Sequence, residues 1–317
     1  MIAQIQAAWP GWQVARTIGK GSFGQVYEIQ RDIFGTVERS ALKVIGLPHN
    51  LEDIQKLRDQ GHNQEQIAQY YSSCREAIIR EYTLMAEIKG HPNIVYCDDF
   101  RQVPRKDGIG WDIHIKMELL TPLFQVMPLY YSEPMVLQLA KSVASALTLC
   151  EKRGILHRDI KPENIFYSNT GEFKLGDFGV AKLAQHTGRG TVIGTFDYMA
   201  PEVYRSQPYG PLADIYSLGV LLYWAMNDRR IPFLHDVGGI PTVEQREKAW
   251  TMRIDGHPIP LPANGSPELA QIVMTAMAHD PAHRYPSAAH MLQDLQRLKA
   301  SPFVPAAENH FRRASDL

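Results

Sequence analysis

Two acids and an amide are the first candidates for chemistry. Asp159 and Asn164 lie in the run Ile155-Leu156-His157-Arg158-Asp159-Ile160-Lys161-Pro162-Glu163-Asn164-Ile165. Asp177 follows in Phe173-Lys174-Leu175-Gly176-Asp177-Phe178-Gly179. Asn164 and Asp177 offer hard oxygen ligands of the kind Mg²⁺ takes. Asp159 can accept a proton from an incoming hydroxyl. Any one of these residues could equally be a helix cap or a turn residue. The ordered set, placed between apolar runs, does not read as an ordinary surface loop.

A second group lies near the start of the chain. Gly19-Lys20-Gly21-Ser22-Phe23-Gly24-Gln25-Val26 is a G-x-G-x-x-G-x-V run. Glycines let a backbone approach phosphates and aim N–H groups at them. A glycine hairpin and a dinucleotide fold are the alternatives. The second expects a helix directly after the glycines, and here a strand pattern follows. In Ala41-Leu42-Lys43-Val44, one lysine shares a strand face with Ala41. Ile67, Tyr71, Cys74, Ile78, Glu81, Met85 and Ile88 form one helical stripe, in which Glu81 is the only charge. A carboxylate on a buried stripe needs a partner, and Lys43 is the candidate. Glu76 is off the stripe and reads as solvated.

These residues need a scaffold. The pattern predicts strands over Trp12–Ile18, Gln25–Ile29, Ser40–Ile45, Ile94–Gln102 and Trp111–Glu118. It predicts helices through Met135, Leu139, Val143, Ala146 and Cys150, and over Leu212–Trp224, Pro267–Ala278 and Ala288–Leu298. A strand-rich first part and a helix-rich second part suggest two lobes joined near residues 118–122, with a tail from Ala300.

The bulk composition fits a soluble globular chain. Its 317 residues are 44% hydrophobic and 21% charged, and the net charge of −1 gives no reason to expect nucleic acid or an anionic membrane as partner. Cys74, Cys97 and Cys150 are scattered, which suits a reducing compartment and small buried apolar roles. The start of the chain lacks the pattern of a signal peptide, and Tyr216–Met226 is too short an apolar run to span a bilayer. The expected location is the cytoplasm.

Taken in order, the motifs resemble those of eukaryotic-type Ser/Thr protein kinases over residues 12–299, and the compact loops with the insertion described below resemble bacterial kinases of that type. The resemblance implies an α+β, bilobal protein-kinase fold: a β-rich N-lobe (12–120) with one main helix, a mostly helical C-lobe (121–299) and a tail (300–317). It implies ATP and Mg²⁺, with Mn²⁺ as a substitute, and protein substrates with Ser/Thr acceptors. Gly19, Gly21, Ser22, Phe23 and Gly24 would cover the phosphates. Lys43 would hold them and pair with Glu81. Asp159 and Lys161 would serve the acceptor hydroxyl and the γ-phosphate, and Asn164 and Asp177 the metal ions. Val26, Ala41 and Phe166 would enclose the adenine, with Met117 as gatekeeper and Glu118 to Leu120 at its edge.

The remaining family positions are structural or regulatory. Glu202 in Ala200-Pro201-Glu202 is expected to pair with Arg284, and Asp214 to brace the catalytic loop. Thr195 is expected to bridge toward Asp159. Thr191, with Thr187 as second choice, is the expected activating phosphorylation site, received by Arg158 with help from Lys182. Val180 implies a threonine preference.

The chain departs from the family between Lys43 and Glu81, where it is about twenty residues longer than the resemblance leads one to expect. Leu51, Ile54 and Leu57 suggest a short helix there, and Asn63 with Gln66 has capping-box spacing. This added hairpin reads either as a solvated decoration or as a regulatory or transient homodimer contact. A pseudokinase is disfavoured because Lys43, Asp159 and Asp177 are all present. A small-molecule phosphotransferase is disfavoured by the Glu202–Arg284 expectation.

Overall fold

A computed structural model describes residues 1–21, 24–105, 110–127, 132–178, 196–234 and 239–298; in the long third helix the side chains of Glu81, Leu84 and Met85 fall outside that description. The chain divides into two compact units. One is Met1–Val126 with Leu149–Phe196, and the other is Met127–Thr148 with the chain from Asp197 onward.

The first unit begins with α1 (Ile2–Ala8), then β1 (Gln13–Gly21), β2 (Gly24–Ile33) and β3 (Thr36–Leu47). Next come α2 (Leu51–Asp59), α3 (Gln64–Glu87), β4 (Cys97–Pro104) and β5 (Trp111–Met117). The five strands form one antiparallel sheet in the order β1-β2-β3-β5-β4. A second, small sheet joins β6 (Thr121–Pro122), β7 (Ile165–Tyr167) and β8 (Phe173–Leu175), with the short α4 (Leu123–Val126) beside it.

Strand alternation gives the larger sheet two faces. Ala41, Lys43 and Ile45 share one side of β3. Leu42 and Val44 point to the other, where they join Tyr27, Ile29, Trp12 and, from α1, Ile5 and Trp9 in a closed cluster. Trp9 Nε1 donates to His114 Nδ1 at 3.0 Å, and the Arg101 guanidinium lies 4.1 Å from the Trp9 ring centre. Burial lowers the His114 pKa, which keeps that imidazole a neutral acceptor. The sequence reading gave no helix at α1. It has seven residues and no side-chain cap, so packing rather than propensity holds it.

The expected hairpin between Lys43 and Glu81 is present. Asn50 caps α2, its Oδ1 accepting from Asp53 N at 2.9 Å. Asn63 and Gln66 form both halves of the capping box at 2.9 Å each, and α3 starts at Gln64. Ile54, Ile67, Tyr71 and Cys74 are buried, while Glu76 is exposed, as its place off the stripe requires.

In the second unit, α5 (Glu133–Lys152, which passes into the first unit after Thr148) buries Val136, Leu139, Ala140 and Val143. It is followed by α6 (Pro201–Tyr204), α7 (Pro211–Met226), α8 (Val243–Ile254), α9 (Pro267–Ala276) and α10 (Ala288–Arg297). α7 is apolar on nearly all sides and correspondingly buried. At Gly219 a Cβ would stand 2.7 Å from Met277 Cγ, so glycine permits the close approach of α7 to the end of α9. The sequence reading passed over α8, although Thr242 and Gln245 form a full capping box before it. No helix among the described residues is long and apolar enough to cross a membrane.

Candidate active site

The first unit brings together most of the residues singled out for chemistry. β3 places Lys43 opposite Val26 on β2 and Ile115 on β5, and Ala41 opposite Met117. Val26, Ala41 and Lys43 therefore share one face of the sheet. Lys43 Nζ donates to Asp177 Oδ1 at 2.5 Å. The pairing expected of Glu81 falls on a side chain outside those described, though its place in α3 is as predicted.

Gly19 and Gly21 close β1, pairing with Val26 and Gly24 respectively, while Ser22 and Phe23 lie outside the described residues. Gly24 has φ +151°, and a Cβ there would stand 1.9 Å from the Val44 carbonyl oxygen. Gly24→Ala is thus expected to force β2 from β3 and lower stability by about 2 kcal/mol or more, read as a fall in the urea midpoint. An unchanged midpoint would show that the strands yield without cost.

The loop before β7 carries Asp159, Lys161 and Asn164. Lys161 Nζ lies 2.9 Å from Asp159 Oδ2. Asn164 Nδ2 donates to Asp159 O at 2.7 Å and to its Oδ2 at 3.1 Å. With the amide nitrogen so engaged, the Asn164 oxygen is the atom left for a cation. Gly176 N donates to Asn164 O at 2.9 Å, tying the Asp177 segment to this loop.

His157 is a functional support that sequence reasoning left without a role. It is fully buried; its Nε2 meets Gly176 O at 3.0 Å, and its Nδ1 accepts from Asp159 N at 3.3 Å. One nitrogen must donate and the other accept, which is the neutral imidazole with its proton on Nε2. The ring also packs on Phe178, with centroids 4.5 Å apart. Arg158 and Asp177 both have positive φ, 65° and 51°, so the backbone turns sharply beside each acid. Arg158 is exposed.

Around the site, Phe166 lies on β7 against Gly176, where a Cβ would stand 3.0 Å from the Phe166 ring. Met117, Glu118 and Leu120 are partly buried. The Glu118 carboxylate accepts from Lys174 Nζ at 2.8 and 2.9 Å and from Tyr96 N at 2.7 Å, so its side chain is committed to the scaffold. Cys97 pairs with Met117 across the sheet and is only partly buried, unlike Cys74 and Cys150. Burial and then the Asp177 charge push its thiol up to about 12, against Lys43, so it is a poor nucleophile.

The expected structural ion pair is present in the second unit. Glu202 on α6 accepts from Arg284 Nη1 at 2.7 Å and Nη2 at 2.8 Å. Asp214 lies buried in the first turn of α7. Thr187, Thr191 and Thr195, with Val180 and Lys182, fall outside the described residues.

The donor set, one carboxylate and one amide oxygen, is of the hard-oxygen type that suits magnesium rather than a cage of protein ligands. No cluster of three or more His, Cys, Asp or Glu able to hold a metal occurs among the described residues.

Comparison with known proteins agrees with this geometry. Residues 12–295 match the protein kinase domain family. Serine/threonine-protein kinase PknK of Mycobacterium tuberculosis is 31% identical over 303 residues, covering 90% of this chain and 24% of PknK. Serine/threonine-protein kinase PknA of the same species is 29% identical over 301 residues, covering 93% of this chain and 62% of PknA. The chain thus spans only part of the length of these relatives. A matched domain over nearly the whole chain, on a five-stranded sheet with its helix and a largely helical C-terminal part, settles the family: the chain belongs to the protein kinases.

Proposed function

We propose that the chain is a serine/threonine protein kinase that transfers the γ-phosphate of Mg-ATP to protein hydroxyls, with residues 12–299 as its catalytic domain, an N-lobe to residue 120 and a tail from residue 300. The observation that carries this reading is the convergence of Lys43, Asp159, Lys161, Asn164 and Asp177 within one compact unit. The names of PknK and PknA support the choice of Ser/Thr, as does Lys161 two residues after Asp159. Three scattered cysteines that form no disulfide support a cytoplasmic site of action.

Phosphoryl transfer needs charge neutralisation and in-line placement more than covalent help. Magnesium, when bound, neutralises the phosphate oxygens. Asp177 and Asn164 would hold it, and Lys43 would bind the α- and β-phosphates. The glycine run would lie over the nucleotide phosphates, with Val26, Ala41, Met117, Leu120 and Phe166 about the adenine. Asp159 would orient the acceptor hydroxyl and take its proton. Lys161, in contact with Asp159, would steady the charge on the transferring group.

Activation would come from phosphate on Thr191, with Thr187 as alternative, placed by a second copy of the chain in a transient pair. Arg158 is exposed next to Asp159 and can receive such a phosphate. The test is incubation of the purified chain with Mg-ATP and a degenerate peptide library, followed by mass spectrometry of both. Ser/Thr acceptors and phosphate between residues 180 and 200 are expected. Dominant tyrosine phosphorylation would overturn the acceptor class. Full activity without phosphate in that segment would overturn the activation step.

A further inference from the structure

The helix that carries Glu81 is fastened to the sheet along one line. Arg75 and Tyr82 stand seven residues apart on nearly the same helical face, and Lys89 follows in the turn just past the helix end. Each meets an aromatic ring of the sheet or its approach. The Arg75 guanidinium lies 4.4 Å from the Trp111 ring centre, Tyr82 stacks on Phe100 at 4.5 Å, and Lys89 Nζ lies 4.5 Å from the Tyr96 ring centre.

The first of these contacts lies just past the added hairpin, on the same helix. α3 runs unbroken for 24 residues, about 36 Å at 1.5 Å per residue, and its first turns belong to that hairpin. Ile67 and Tyr71 are buried just before Arg75, so the helix reaches Arg75 already held. Arg75 Nε is itself buried with no hydrogen-bond partner among the described residues, and the Trp111 ring face lies against that guanidinium.

Trp111 is a firm anchor. It opens β5 and is paired on both sides, with Leu47 of β3 and Pro104 of β4. The β3–β5 pairing continues from Leu47 and Trp111 to Lys43, opposite Ile115. One frame therefore fixes both the anchor of α3 and the lysine. Tyr82, next to Glu81 in sequence, is held by Phe100 on β4, and burial pushes its phenol up to about 12, so it stays neutral.

We propose that Arg75, Trp111, Tyr82 and Phe100 are positioning residues that hold α3, and Glu81 with it, at a set distance from Lys43. In this chain the helix is placed by its own sheet and hairpin. This rests on the kinase reading given above, so the test carries a readout independent of activity.

The experiment compares Arg75→Met and Trp111→Leu with the unaltered chain and with Trp111→Phe. Both disruptive variants keep apolar bulk and remove the cation or the ring. Hydrogen–deuterium exchange over residues 64–87 should rise in both, with the strands unchanged. In steady-state kinetics, kcat should fall about tenfold or more and KM for ATP should rise, while KM for peptide stays constant. Trp111→Phe should remain within about twofold on every measure, because a ring is restored.

Wild-type exchange in α3 for both Arg75→Met and Trp111→Leu would overturn the proposal, as would a uniform loss of protection across the sheet. If the unaltered chain transfers no phosphate, the kinase reading fails, and the exchange pattern alone decides whether α3 is fastened as described.

Discussion

Asp177→Asn is expected to lower phosphoryl transfer by about a thousandfold or more while leaving the fold in place. Asparagine has nearly the same shape as aspartate. Asp177 sits at φ +51°, a region that asparagine tolerates better than most residues, so the backbone turn survives. Its side chain is 39% exposed, so no buried packing is lost. What disappears is one negative charge: the counter-charge to Lys43 and, on the function proposed above, half of the protein's donor set for the metal. The measurements are single-turnover transfer to peptide and a thermal melt in the absence of nucleotide. Turnover within about tenfold of the parent chain would remove Asp177 from the site.

The second large effect concerns stability. Arg284→Ala is expected to cost about 3–5 kcal/mol, because it strands a buried carboxylate. The Arg284 side chain is fully buried and Glu202 nearly so, at 0% and 7% exposure. Besides its bidentate bond, the guanidinium donates to Leu212 O at 3.0 Å, Ala278 O at 2.8 Å and His279 O at 3.2 Å. Its carbon lies 4.7 Å from the Tyr216 ring centre. Arg284→Lys should recover little, since an ammonium cannot span two carboxylate oxygens and three carbonyls from one plane. The double change Glu202→Gln with Arg284→Met should be milder than Arg284→Ala alone, because no uncompensated charge remains. Urea unfolding checks the order. A single variant no worse than the double would show that the stranded carboxylate is not what costs stability.

The residues of the site could be read from the sequence because phosphate chemistry restricts their type. Lys43, Asp159, Asn164 and Asp177 have few substitutes; Lys43 sits within β3, the other three lie beside the short strands β7 and β8, and all are flanked by legible apolar runs. The strands, α2, α3 and the Asn63–Gln66 capping box follow from alternation, stripe and cap chemistry, which are local. Other features depend on partners far along the chain. α1 forms on an outer face that Tyr27, Ile29, Leu42 and Val44 create together. His157 could be noticed in sequence, but its bond to Gly176 O requires the return of the chain after β8. The row of Arg75, Tyr82 and Lys89 is visible only beside Trp111, Phe100 and Tyr96. α8 is different: Thr242 and Gln245 signalled it, and the polar helix that follows obscured the signal.

The added hairpin also bears on how the sheet assembles. Pairing Leu47 with Trp111 closes a long loop, and extra length in such a loop costs little: roughly twenty added residues raise the closure entropy by only ~0.3 kcal/mol. That penalty is smaller still when the added residues form capped helices of their own, because the span the chain must search is shortened. The hairpin therefore lengthens the connection between β3 and β5 at almost no cost in folding speed.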